Sequence, residues 1–529
     1  MSDTRNTKGF ANKPNRQHSN KARRNKGRNN CPDKESRVDS TSKSLGDNDI
    51  SWYAKNPQIL KDAASISFFT PAGSFLTVDK SNQRSISIPG IYTLDYVPTI
   101  GRAMSWTDPA NVMCRTVYDF VRSKNSGSKN YDATHIGFYL LAADSVLTMW
   151  AYLIRMYSCI NYVNGVNRYT GAALLRAMNI NPNDIRNNAS DIRAYINTYA
   201  ARASIMCIPG NLPYYARHMW MVTNIYKDSD DAKAQLYMYR PRCLYKYNVG
   251  TVESGAFLEA ISLTPASSGK YLLWSEIRSI ADSILESIIN QEDFMIVSGD
   301  ILKAYGAEAM FKFAPMPEDR VISPVYNSVV LQQIHNATIT ASPADVNLNQ
   351  LNVTQNLLED PSAGNIMYKP VLIPDVNWVT CSDGSMDAQV LDLYNSSTEP
   401  ADVMEATRLV TFGDIFNSTG DIYQFIPEYF GSEIITRAMI WKTSESNGVE
   451  TSVVPITASF SYNAGINEAF IKKMFAFDMA PTTFEYTLHV PVGVIGELDN
   501  YTTVDSHTMS RMHEAAILSM FNIPMDVNI

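Results

Sequence analysis

Residues 134–161 read THIGFYLLAADSVLTMWAYLIRMYSCIN. Wound as a helix, this stretch is apolar nearly all round, and such a helix belongs in the interior of a large domain. Asp144 and Arg155 interrupt it, so no run reaches the roughly 20 apolar residues that cross a bilayer. The flanking sequence repeats the helical theme. Asn56-Pro57 opens a short helix over 57–64, and Val112, Val117, Phe120 and Val121 form a helical stripe ending near Ser123. Asn181-Pro182 supplies an N-cap followed by proline at the first helical position. A further helix follows Asp191 and ends before Pro209-Gly210. Between them, 68–100 hold short apolar runs broken by Pro71, Gly73, Pro89, Gly90 and Pro98, which reads as extended segments and turns.

The best amphipathic match is 275–290. Ile277, Ile280, Ala281, Ile284, Leu285, Ile288 and Ile289 recur at helical spacing, with Ser275 as the expected cap. A shorter helix is expected over 298–313. Pro315, Pro317 and Pro324 then mark a boundary. Over 325–461 runs of Val, Ile, Thr and Tyr alternate with Asn, Ser, Asp and Gly. Strands are expected around 329–333, 368–373, 421–426 and 434–441, with one helix over 400–409. Helix returns over 464–477. Asp505 or Ser506 caps a last helix, with Met509, Met512, Ala516, Ile517, Met520 and Phe521 on one face, stopping before Pro524. That helix cannot bury its face alone and is expected to pack back on the first body. The fold class is α+β, mainly α-helical, with a β-containing, loop-rich insertion.

The 529 residues, 45% apolar and 19% charged, suit a globular body of more than one domain. Charge divides the chain sharply. Residues 1–30 carry nine cations (Arg5, Lys8, Lys13, Arg16, Lys21, Arg23, Arg24, Lys26 and Arg28) against Asp3 alone, so 9 − 1 = +8. The whole chain is −8, which leaves −8 − 8 = −16 for the rest. The arm holds seven Asn and almost nothing apolar, so it is expected to be disordered and to bind a polyanion. The six cysteines lie far apart, without CxxC, which suits a reducing compartment and neither a disulfide framework nor a zinc site. The charged N-terminus has no signal-peptide apolar core, and the Asn-x-Ser/Thr triplets are read as chance.

Catalytic patterns are sparse. The nearest approach to a phosphate loop, Ser268-Gly269-Lys270-Tyr271, lacks the first glycine and the Ser/Thr that would hold magnesium. Ser298-Gly299-Asp300 reads as a helix start rather than polymerase chemistry. His507 and His513 stand six apart, on different sides of one helix. Glu292-Asp293 and Asp230-Asp231 read as solvated acidic pairs. His218 among Tyr214, Tyr215, Arg217 and Trp220 could stack on bases, although a core or interface cluster is the commoner meaning. No cofactor and no metal site is expected. The 23 Met and 29 Tyr lean toward assembly interfaces rather than catalysis.

Four ordered strings carry a resemblance: SWYAKNP at 51–57, YYARHMWM at 214–221, SGDILKAYGA at 298–307, and SRMHE at 510–514 leading to SMFNIP at 519–524. In that order and at those separations they resemble the capsid protein of picobirnaviruses, over about 51–317 and again from about 480. The stretch 325–461 matches no motif. The resemblance implies a non-enzymatic structural protein of a virus with segmented double-stranded RNA. Its icosahedral shell would be built from sixty quasi-symmetric dimers, each subunit having a helical shell domain and a β-rich protruding domain. Mapped on this chain, it gives a disordered basic RNA-binding arm and linker at 1–48 and a shell domain at 49–320. A protruding domain at 321–480 and a C-terminal return to the shell at 481–529 follow. The nine arm cations become the RNA contacts. The implied partners are the chain itself, packaged double-stranded RNA, and a host cell surface or membrane met by the protrusion. The implied location is the virion, assembled in the host cytoplasm. Some members lose an N-terminal peptide by cleavage, but no residue pattern here places a cut. Without the resemblance, the residues also fit a soluble RNA-binding factor with a basic arm.

Overall fold

The computed structural model describes residues 50–523 apart from short internal stretches, the longest of them 163–169, 341–346, 358–363, 373–383 and 467–472. The chain divides into two compact units, 1–68 and 69–529. In the first, a 3-10 turn at Ile50–Trp52 precedes helix α1 (Pro57–Ala64). Asn56 caps α1 by accepting from the Gln58 N–H, and Pro57 sits where its missing N–H costs nothing. No residue of α1 is buried.

The second unit opens with a hairpin of β1 (Phe75–Asp79) and β2 (Arg84–Ser87), then β3 (Ile91–Pro98). Helices α2 (Pro109–Lys124), α3 (Ala133–Ser158), α4 (Thr170–Ala177), α5 (Pro182–Asn187), α6 (Ala189–Ala203) and α7 (Pro213–Thr223) follow. The all-round apolar reading of α3 has a direct counterpart: every residue of it except Ala133, His135 and Trp150 is buried. Helices α2, α6 and α7 pack around it. Its start is fixed by His135, whose Nδ1 accepts from the Asp132 N–H at 3.2 Å. At Gly137 the partner comes closest. A Cβ there would collide with Cys114 Sγ of α2 and lie 2.6 Å from Ile366 Cδ1.

Strands β4 (Tyr226–Lys227), β5 (Leu236–Pro241), β6 (Cys243–Asn248) and β7 (Phe257–Ser262) come next, followed by helices α8 (Trp274–Ile289) and α9 (Glu292–Tyr305) and strand β8 (Val325–Tyr326). A six-stranded sheet runs Val449–Thr457, Glu433–Ser446, β3, β5, β4, β8. The Glu433–Ser446 strand lies antiparallel to β3, while β5 lies parallel to it. All eight residues of β3 are buried, so the sheet is covered on both faces at this strand. Alternation puts Tyr92, Leu94 and Tyr96 on one face and Thr93, Asp95 and Val97 on the other. Thus two strands from the span expected to protrude share a sheet with β3 and β5.

Several boundaries differ from expectation. The 329–333 run is helix α10 (Ser328–His335), because the Asn327 side chain caps it through the Val330 N–H at 3.1 Å. Val330, Leu331 and Ile334 then share its buried face. Helix α8 starts at Trp274 rather than after Ser275, with the Glu276 carboxylate accepting from the Leu273 N–H at 2.8 Å. Helix α9 begins at Glu292 and ends at Tyr305, because Gly306 adopts a φ of 86°. The helix expected over 400–409 is α11 (Pro400–Ala406) followed by a 3-10 turn at Thr407–Leu409. Of the helix expected over 464–477, Gly465–Ile466 is strand and 467–472 lie outside the described residues. The final helix, Ser506–Met520, is capped by Asp505, and Phe521 just beyond it stacks on Tyr214 of α7 at 4.8 Å.

The tyrosines also build the interior. Among the described residues Tyr92, Tyr96, Tyr199, Tyr214, Tyr215 and Tyr239 are fully buried, so part of this composition serves the core. Their hydroxyls are tied to main-chain carbonyls where these are in reach: Tyr214 donates to Thr99 O at 2.7 Å and Tyr215 to Leu140 O at 3.1 Å.

The α2–α3 contact generates a prediction. Gly137→Ala should cost about 1–3 kcal/mol through overpacking against Cys114 and Ile366. Urea denaturation of the purified protein measures it; an unchanged midpoint would mean that the two helices part easily.

Candidate functional site

The nine arm cations, Arg5, Lys8, Lys13, Arg16, Lys21, Arg23, Arg24, Lys26 and Arg28, lie outside the described residues. The first described residues after them expose a dense apolar series. Trp52 is 64% exposed and Phe68 77%, and Ile50, Tyr53, Ile59, Leu60 and Ile66 are exposed with them. Composition did not single this segment out, because the strings that carry the resemblance mark it by identity and not by exposure.

The aromatic and arginine cluster around His218 is fully described, and it is interior. His218 has no exposure, so base stacking there is closed off. Its Nδ1 lies 2.7 Å from Asp144 Oδ2 of α3, and its Nε2 3.3 Å from Glu433 Oε1. Arg217 holds Glu433 with two bonds, Nε to Oε1 at 2.6 Å and Nη2 to Oε2 at 2.8 Å. Ser432 Oγ donates to the same Glu433 oxygen at 2.8 Å. Burial alone would strip the proton from His218. The charge and hydrogen bond of Asp144, then those of Glu433, overcome this and push the imidazole up to about 10. Glu433 resists the upward push of burial because Arg217 and His218 hold it far below the usual carboxylate range. Two cations and two carboxylates thus close a compact interior network joining α3, α7 and the Glu433–Ser446 strand.

A second network occupies the opposite face of the sheet. Asp95 of β3 accepts from Arg240 Nε at 2.5 Å and from Arg437 at 2.7 and 2.6 Å, with Arg242 at 3.8 Å. Burial would raise the Asp95 carboxyl, but the three guanidinium groups take it well below its ordinary range. Arg240 also donates to Ala177 O at 2.6 Å and lies over the Trp441 ring at 5.9 Å. Asp95 and Asp144 were not singled out as site residues from the sequence. The available signal was a carboxylate inside an otherwise apolar run, which demands a buried partner.

The remaining candidates have structural duties. Ser298 Oγ accepts from the Cys207 N–H at 2.8 Å, and Asp300 accepts from the Tyr131 hydroxyl at 2.6 Å. Glu292 and Asp293 open α9, where acidic groups favour the helix N-terminus. Asp230 pairs with Lys227 at 3.0 Å. His513 is buried with Nε2 2.9 Å from Val410 O, while His507 is exposed, so the two do not converge. Among the described residues no three His, Cys, Asp or Glu side chains come together as a metal cage. These networks are sealed by burial. What they do is bind α3, α7 and strands remote in sequence into one body.

Comparison with known proteins agrees with this picture. The family model described as "Picobirnavirus, Capsid protein" matches residues 52–492. The capsid protein precursor of human picobirnavirus (strain Human/Thailand/Hy005102/-) is 28% identical over 517 residues, covering 90% of this chain and 91% of that protein. The X-ray crystallographic structure of the picobirnavirus capsid superposes with a TM-score of 0.78 at 21% identity, covering 91% of this chain and 100% of the other. The last likeness is one of fold.

The His218 network sets a pH dependence. A histidine whose proton is held more tightly in the folded state contributes stability that is whole below about 6.5 and is lost as pH rises toward about 10. Denaturation midpoints should therefore fall across that window. His218→Gln should flatten the fall and cost about 3–5 kcal/mol near neutrality by leaving two buried carboxylates short of a partner. An unaltered pH profile in the variant would remove His218 from this role.

Proposed function

This chain belongs to the picobirnavirus capsid protein family, and on that premise we propose that it self-assembles as dimers, sixty to a shell, into an icosahedral particle around segmented double-stranded RNA. The carrying observation is the family match over 52–492, joined to a fold shared across 91% of the chain. As a capsid protein the chain belongs to the virion and takes a structural rather than an enzymatic role. We place assembly in the host cytoplasm, as a reducing compartment suits cysteines scattered so widely along the sequence.

The charge division supports a role for the arm. Its +8, set against −16 for the rest of the chain, gives the arm an attraction to polyanions that the body lacks. Phosphate contacts carry no sequence information, which suits a lining that accepts any genome segment. Arg23, Arg24, Lys26 and Arg28 form its densest stretch. The shell domain is assigned to 49–320 and the C-terminal return to 481–529. The protrusion, the part that would meet a host cell surface or membrane, is assigned within 321–480. Its outer part is sought away from Glu433–Thr457, since those strands extend the central sheet.

Expression of the full chain should give closed shells, seen by sedimentation and electron microscopy. A small oligomer with selective RNA affinity would favour a soluble RNA-binding factor instead. Deleting residues 1–30 should lower packaged RNA while leaving assembly largely intact. RNA affinity of the unassembled full chain should fall with salt at a log–log slope of roughly −5 to −8, and the truncated chain should lose that slope. Equal RNA content in truncated shells would overturn the arm's role.

A further inference from the structure

Helix α9 presents an exposed stripe that no other described residue covers. Glu292, Ile296, Gly299 and Lys303 are all exposed. They stand at i, i+4, i+7 and i+11, the spacing of one helix face. The opposite face, with Phe294, Val297, Ser298 and Ile301, is buried against the core. Ile296 keeps 37% of its surface in solvent. Neither Glu292 nor Lys303 enters an ion pair with another described residue.

Gly299 is the informative member. A glycine inside a helix costs about 1 kcal/mol relative to alanine, so it normally answers to a close approach by something else. Here a Cβ would meet nothing within 4 Å among the described residues, and the residue carries no positive φ. No described residue of this chain requires a glycine at that position.

The stripe is self-complementary when read against its own reverse. In an antiparallel pair of α9 helices about a two-fold axis, Glu292 falls opposite Lys303 of a second copy. Ile296 falls opposite that copy's Gly299, and the same pairs repeat across the axis. Each ion pair joins opposite charges, and each isoleucine enters the notch left by a glycine. We propose that the α9 face is a contact between two copies of this chain, paired antiparallel with Ile296 seated on the facing Gly299. The inference rests on the self-assembly reading and gives it one specific surface. A single helix pair is smaller than the roughly 800 Å² per partner of a stand-alone interface, so this contact acts alongside others in the shell.

The test uses full-length protein expressed under shell-forming conditions. Gly299→Leu fills the notch from an open surface position and improves helix propensity, so the fold should survive with an unchanged or raised thermal midpoint. Shell yield should fall roughly tenfold or more. Glu292→Lys and Lys303→Glu should each weaken assembly, and the double exchange should restore it, since the pairing is then merely reversed. If the wild type forms no shells, the self-assembly reading fails. If the wild type assembles and Gly299→Leu assembles equally well, or if the double exchange is no better than the single changes, the α9 contact is overturned and the self-assembly reading stands.

Discussion

Asp144 is a carboxylate in the middle of the most enclosed helix of the protein, and the arrangement of the body follows from satisfying it. Left alone there it would be protonated or would drive the helix toward solvent. His218 meets it at 2.7 Å, and Glu433 and Arg217 complete a set of two positive and two negative groups. A buried ionic set of this kind adds little net stability over a well-packed apolar substitute, while loss of one member is expensive. Its effect is therefore selective. Only a packing that brings α3, α7 and the Glu433–Ser446 strand together in register gives each of these four groups an opposite charge to face.

The same logic recurs on the far side of the sheet, where Asp95 gathers arginines from β5 and from the Glu433–Ser446 strand. The two faces of β3 are thus specified by different chemistry. One carries tyrosines packed edge to face, such as Tyr96 on Tyr239 at 6.4 Å. The other carries a single carboxylate surrounded by guanidinium groups. A shift by one residue would exchange the faces and bury Asp95 among aromatic rings, so register is strongly enforced.

Much of this was legible in the amino-acid order, and the rest was not for physical reasons. Helix α8 could be read because its apolar positions follow one period over 16 residues. Asn56-Pro57, Asn181-Pro182 and Asp505 could be read because capping is a local transaction between neighbours. The run at Val329 was misread since its β-branched residues favour strands locally, and burial of one helical face outweighed that preference. Strand β5, Leu-Tyr-Met-Tyr-Arg-Pro, gave no alternation to find, because both of its faces are buried. The ion partners of Asp144 and Asp95 stand 74 and more residues away, and no local pattern announces them. For the candidate site, the arm's charge was plain from composition. The exposed stripe on α9 depended on knowing which face the core had already claimed.

The pairing of β3 with the Glu433–Ser446 strand joins positions as far apart as Thr93 and Met439, 346 residues along the chain. At a synthesis rate of roughly 10 residues per second, β3 waits on the order of half a minute for its neighbour to leave the ribosome. Until then one edge of the central sheet is open and Asp95 lacks Arg437. The body therefore cannot close until synthesis has passed Ser446. A chain released before Glu433 has no closed sheet and leaves the edge of β3 open to any other strand that can pair with it.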